Sequence, residues 1–133
     1  MVLSEIAKPY YLPSEIASII QDCGYRAEMK KLDSGRTVIR SAAGGFAFSI
    51  YCYGTKENKD HVTTVQFSSS FSQKVTTEQV NKWNQKKRFI KAYADSDGEL
   101  VLEWDIVVTF ISLAAIKECL EWWEAVISMV GEI

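Results

Sequence analysis

This chain of 133 residues predicts an α+β fold with a single antiparallel sheet. Three observations carry that reading. Stretches of period two outnumber stretches of helical period. Short turns rich in Gly, Asp and Ser join many of them, and such turns make hairpins rather than crossovers. Helical apolar stripes sit near the two ends, and a short capped helix interrupts the strands. The predicted order is α-β-β-β-β-α-β-β-α. That gives an antiparallel sheet of about five to six strands with helices packed on one face.

Met1 to Tyr11 has few periodic apolar positions and reads as a loose lead-in. A helix opens at Pro13-Ser14, either with Pro13 at its first position or with Ser14 as its cap. Ile16, Ile19, Ile20 and Cys23 form its apolar stripe, and Gly24 suits the residue past its end. Tyr25 to Leu32 alternates weakly, with Tyr25, Ala27 and Met29 on one side. Asp33-Ser34-Gly35 is a hairpin turn, followed by a strand from Arg36 to Ala42. Gly44-Gly45 breaks the chain. Phe46, Phe48, Ile50 and Cys52 then alternate against Ala47, Ser49, Tyr51 and Tyr53. A charged loop runs from Gly54 to His61, and Val65, Phe67 and Phe71 mark a fourth strand.

The stretch from Thr76 to Phe110 organises the rest. Thr76 and Gln79 are spaced as a capping box, and Val75 and Val80 as a hydrophobic staple. They predict a helix from Thr77 to Gln85, anchored by Val80 and Trp83. From Arg88 to Ala94 the period changes, with Phe89 and Tyr93 on one side and Ile90, Ala92 and Ala94 on the other. Asp95-Ser96-Asp97-Gly98 is turn chemistry. Leu100, Leu102, Trp104, Ile106, Val108 and Phe110 follow in strict alternation, the strongest strand signal in the chain. Ser112 can cap a long last helix, with Ile111 and Ile116 as its staple.

Val80-Asn81-Lys82-Trp83-Asn84, Arg88-Phe89, Ala92-Tyr93, Asp97-Gly98 and the strand end Trp104-Asp105 resemble the YbjN-domain family of small bacterial proteins. That family is described as sensory-transduction regulators. The helix carrying Trp122-Trp123 is similar to its closing helix. The resemblance covers roughly the C-terminal half, while the N-terminal half agrees in layout. It implies a fold like that of type III secretion chaperones and no known chemistry. Family members often carry Gly just before the last helix, where this chain has Phe110-Ile111-Ser112.

Length and composition bound the function. One domain spanning residues 1–133 can bury a core without staples. With 47% hydrophobic and 24% charged residues the chain reads as globular, and a net charge of −2 provides no global attraction for nucleic acid. Cys23, Cys52 and Cys119 are an odd, dispersed set, which suits free thiols in a reducing cytoplasm. The start lacks a basic and apolar leader, and no apolar run approaches the ~20 residues of a membrane span.

No catalytic, metal or cofactor site is expected. His61 is the sole histidine, so a His-based triad or metal set has no second member; it reads as solvated. Gly at the sixth and Glu at the twelfth position of a calcium loop from Asp95 are replaced by Leu100 and Ile106. Gly44-Gly45 is followed by Phe46, without the Lys of a phosphate loop. Glu103 and Asp105 read as solvated acids on an outer face. Lys82, Lys86, Lys87, Arg88 and Lys91 form a basic cluster interleaved with Trp83, Phe89 and Tyr93, which superficially suits single-stranded nucleic acid. The alternation of Phe89 with Tyr93 and the acids that follow favour a solvated turn.

The last helix is the exception. One apolar row is Ile116, Leu120, Trp123, Ile127 and Val130, and a second is Ala115, Cys119, Trp122, Val126 and Met129. Together they exceed the ~100° stripe a surface helix needs. The second row is either core against the first helix or an interface, and aromatic and Met side chains are enriched where proteins meet. The expected function is a non-enzymatic, chaperone-like or regulatory interaction module, forming a homodimer or capturing a protein partner. Its candidate interaction residues are Cys119, Trp122, Val126 and Met129. The alternative is a small-molecule-binding domain or small enzyme with a pocket between sheet and helices.

Overall fold

A computed structural model of the chain describes residues 7–133. The elements follow the predicted order: α1 (Pro13–Asp22), β1 (Glu28–Lys31), β2 (Thr37–Ala43), β3 (Phe46–Gly54), β4 (Val62–Lys74), α2 (Thr77–Lys86), β5 (Lys91–Ala94), β6 (Glu99–Val107) and α3 (Leu113–Ile127). The six strands form one open sheet in the order β1-β2-β3-β4-β6-β5, every neighbouring pair antiparallel.

Register divides the sheet into two faces. Ile39, Ile50, Phe67 and Trp104 stand opposite one another across four strands, and they face the helices. Trp123 of α3 is fully buried and meets Phe48 and Phe67 at ring-centroid distances of 5.8 and 5.3 Å. One residue along, the row Glu28, Arg40, Ser49, Ser68, Glu103 and Lys91 crosses all six strands. That row is polar because no helix covers its face. The alternation predicted for a half-buried sheet follows directly.

Local signals act as expected at several turns. Gly44 and Gly45 both take positive φ, 60° and 85°, which a two-residue hairpin loop between β2 and β3 requires. Thr76 accepts from the Gln79 N–H at 3.2 Å, and the Gln79 side chain accepts from the Thr76 N–H at 2.8 Å. Ser112 accepts from the Ala115 N–H at 3.1 Å and starts α3.

One open reading is decided and three expectations need correction. At α1, Pro13 takes the first helical position and Leu12 precedes it as the cap residue, so Ser14 is not the cap. Residues 1–6 of the expected lead-in lie outside the described residues, but Tyr11 is not loose. It is fully buried, its backbone pairs with Val62, and its hydroxyl donates to the Ile111 carbonyl. The strand read from Arg88 begins only at Lys91, because Phe89 turns into the left-handed region at φ 71°. The strand read through Phe110 ends at Val107, and Phe110 sits at φ 58° with 64% of its surface exposed.

Candidate interaction surface

The two apolar rows of α3 have different fates. Ile116, Leu120, Trp123, Ile127 and Val130 are all buried against the sheet and α1. In the second row Val126 is 5% exposed and belongs to the core, so it is removed from the candidate interaction residues. Cys119 is half-buried, and burial, with Glu118 beside it, pushes its thiol above its usual range. Trp122 and Met129 remain at the surface, 42% and 38% exposed.

Trp122 does not stand alone. Its ring meets Phe89 edge-on at 5.4 Å, and Phe89 stacks on Trp104 at 5.1 Å. Trp104 continues inward to Phe67 at 6.0 Å, and Phe67 to Trp123. A line of aromatic contacts therefore runs from the buried centre to the surface, each within the 4.5–7 Å range of favourable ring pairs. The surface end is Phe89, 44% exposed, beside Trp122.

The Phe89 backbone produces this arrangement. Unbroken alternation would place Phe89 with Tyr93 on the open face. The left-handed turn at Phe89 reverses that direction and lays the ring over Trp104 on the helical side. The conformation costs an L-residue about 1–2 kcal/mol. Sequence reasoning missed Phe89 because period two cannot register a single residue that leaves it. Phe110 is a second exposed phenylalanine in the same backbone region. It stands where the resembled family often has Gly, and that substitution was the one signal available in the sequence.

Charge is divided around the aromatic pair. Glu118 and Glu121 line a shallow depression with Trp122 and Ala125 on the α3 side. On the other side the Arg88 guanidinium lies 4.8 Å from the Phe89 ring. The predicted basic cluster disperses: Lys82 pairs with Glu78 at 3.3 Å, Lys87 with Glu132 at 2.8 Å, and Lys91 with Glu103 at 3.7 Å. Lys87 also lies over the Trp83 ring at 5.6 Å.

The remaining candidates have local partners. The His61 ring is not solvated on both faces: it stacks on Tyr10 at 3.8 Å and contacts the Asn58 amide at 3.1 Å. Asp95 accepts from the N–H groups of Asp97 and Glu99, both at 2.9 Å, which shapes the β5–β6 turn. Glu103 accepts from the Tyr93 hydroxyl at 2.7 Å, and Asp105 from Gln66 at 2.9 Å. Cys52 is buried, and burial pushes its thiol up to about 12. No helix among the described residues is long and apolar enough to cross a membrane.

The sequence profile of the YbjN family, described as "Putative bacterial sensory transduction regulator", matches residues 12–132. No curated protein and no solved structure matches the chain, so the likeness to secretion chaperones rests on the sequence resemblance alone.

Proposed function

The chain belongs to the YbjN family, and from that membership we propose that it is a non-enzymatic regulatory module that works by protein–protein contact. The contact surface is Phe89 with Trp122, and its first occupant is a second copy of the chain. One observation supports this above the others: Phe89 holds a costly left-handed backbone, which lays its ring over Trp104 and leaves it 44% exposed beside Trp122. Local strain of this kind collects at functional sites. The charges favour self-pairing. A two-fold axis brings the same patch against itself, so Arg88 of each copy can face Glu118 and Glu121 of the other. The three free thiols suit a reducing cytoplasm.

Analytical ultracentrifugation of the wild type and Trp122→Glu tests the reading. The wild type is expected to dimerise and the variant to be a folded monomer with an unchanged circular dichroism spectrum. A wild type that stays monomeric at high concentration, or a variant that unfolds, would overturn it.

A further inference from the structure

The geometry points to a second site, unrelated to the aromatic surface: an anion-binding cleft for a phosphate group between the β1–β2 turn and the β3–β4 loop. The cleft has a volume of about 230 Å³ and takes three cationic side chains, Arg36, Lys56 and Lys59, with the hydroxyl residues Ser34, Tyr53 and Thr55. No carboxylate lines it. Asp33, Glu57 and Asp60 belong to the same two loops but stay outside the lining, and Asp60 is paired with Lys31 at 2.6 Å. The lysine-lined cavity beside α2 differs, since Glu132 lies within it and already pairs with Lys87.

The cleft is built rather than incidental. The Arg36 guanidinium lies 4.3 Å from the Tyr53 ring, which limits where its donors point. Arg36 is half-buried and makes no ion pair with a carboxylate among the described residues. A bound anion would supply the opposite charge that no carboxylate supplies to it. Lys59 reaches across from the β3–β4 loop and donates to the Ser34 carbonyl, joining the two walls. Thr55 and Asn58 close the loop through hydrogen bonds of 3.0 and 3.1 Å. A Cβ at Gly54 would lie 2.2 Å from the Lys59 carbonyl oxygen, so only glycine lets the loop fold back this closely.

Chemistry and size select the ligand. Arg with two Lys matches an oxyanion of more than one negative charge, and a planar guanidinium favours phosphate. The volume falls below the ~300 Å³ at which pockets for drug-sized ligands begin. The cleft therefore takes inorganic phosphate, pyrophosphate or the phosphate end of a larger molecule.

Isothermal titration calorimetry with inorganic phosphate, pyrophosphate and adenosine monophosphate tests this, at matched ionic strength set with sodium chloride. Saturable binding of phosphate or pyrophosphate is expected, weakened about tenfold in Arg36→Gln and in Lys56→Gln by the loss of one charged hydrogen bond. Tighter binding of the monophosphate than of free phosphate would identify an organic ligand that carries the phosphate; equal or weaker binding would identify the free anion. Lys56 lies on an exposed loop, so Lys56→Gln decides the matter if Arg36→Gln fails to fold. Absence of saturable binding to the wild type, or binding that both variants retain, would overturn the site.

Discussion

The Asn84 side chain pairs with both backbone groups of Ala92, donating to its carbonyl at 3.1 Å and accepting from its N–H at 2.8 Å. Ala92 lies in β5, the outermost strand on that side of the sheet. Asn84 thus stands where the backbone of a further strand would bind, and an open edge is a template for aggregation. The neighbouring Trp83 indole N–H donates to the Ile90 carbonyl at 3.0 Å, so consecutive residues of α2 bind the chain around β5. This gives the Trp-Asn pair of the family resemblance a structural role. Asn84→Ala should lower stability by about 1–2 kcal/mol in urea melts and speed hydrogen exchange at the Ala92 amide. Unchanged exchange at Ala92 would show that the pairing does not protect the edge.

Phe110 is a place where stability can be gained. Its backbone is left-handed and its N–H is held by the Lys8 carbonyl at 2.6 Å, so the conformation should survive substitution. Phe110→Gly should stabilise the fold by about 0.5–1 kcal/mol, the strain relieved less the extra freedom of an unfolded glycine. Thermal melts measure it. A drop in the melting temperature would mean that the ring packs against the protein despite its exposure.

Two of the tryptophans on the helical side, Trp123 and Trp104, should differ sharply. Trp123→Ala opens a fully enclosed space and should cost about 3–5 kcal/mol. Trp104 is only half-buried, and its replacement should cost less. Equal losses in denaturant melts of the two variants would mean that the two rings are buried alike.

Tyr93 yields a pH dependence. Its phenol is pushed from the usual 10.0 up to about 12, first by partial desolvation, although the residue stays 37% exposed, and then by its hydrogen bond to Glu103. The folded chain therefore keeps a proton that the unfolded chain releases. The stability from this group is complete below pH 10.0 and is lost as pH rises towards about 12. Tyr93→Phe should flatten the fall in stability across that window. Identical alkaline melting profiles for variant and wild type would remove Tyr93 from the account.

Asp95, Asp97 and Glu99 bring one carboxylate oxygen each within 4.8 Å of one another. The Asp95 hydrogen bonds to the backbone already explain the turn. Neither a chelator nor added calcium should move the melting temperature, because a structural metal contributes folding energy directly. A calcium-dependent rise would make the turn a metal site.

Much of the architecture was legible in the sequence because its signals are local. The capping box at Thr76, the Gly44-Gly45 turn and the alternation from Leu100 to Val108 each involve neighbours a few residues apart. Those spacings determined the element order and, for β3 and β6, which side of the strand faces the core. The tertiary structure decided the rest, through contacts between residues far apart in the chain. Val126 and Trp122 belong to the same apolar row, and only packing on the sheet and α1 buries the first and leaves the second exposed. Phe89 alternates with Tyr93 in the sequence, yet its stacking on Trp104 accompanies a backbone that no periodicity encodes. Arg36 and Lys56 are unremarkable surface cations until two loops 20 residues apart fold towards each other. Spacing along a chain specifies a face, but exposure and convergence depend on what the rest of the chain places opposite that face.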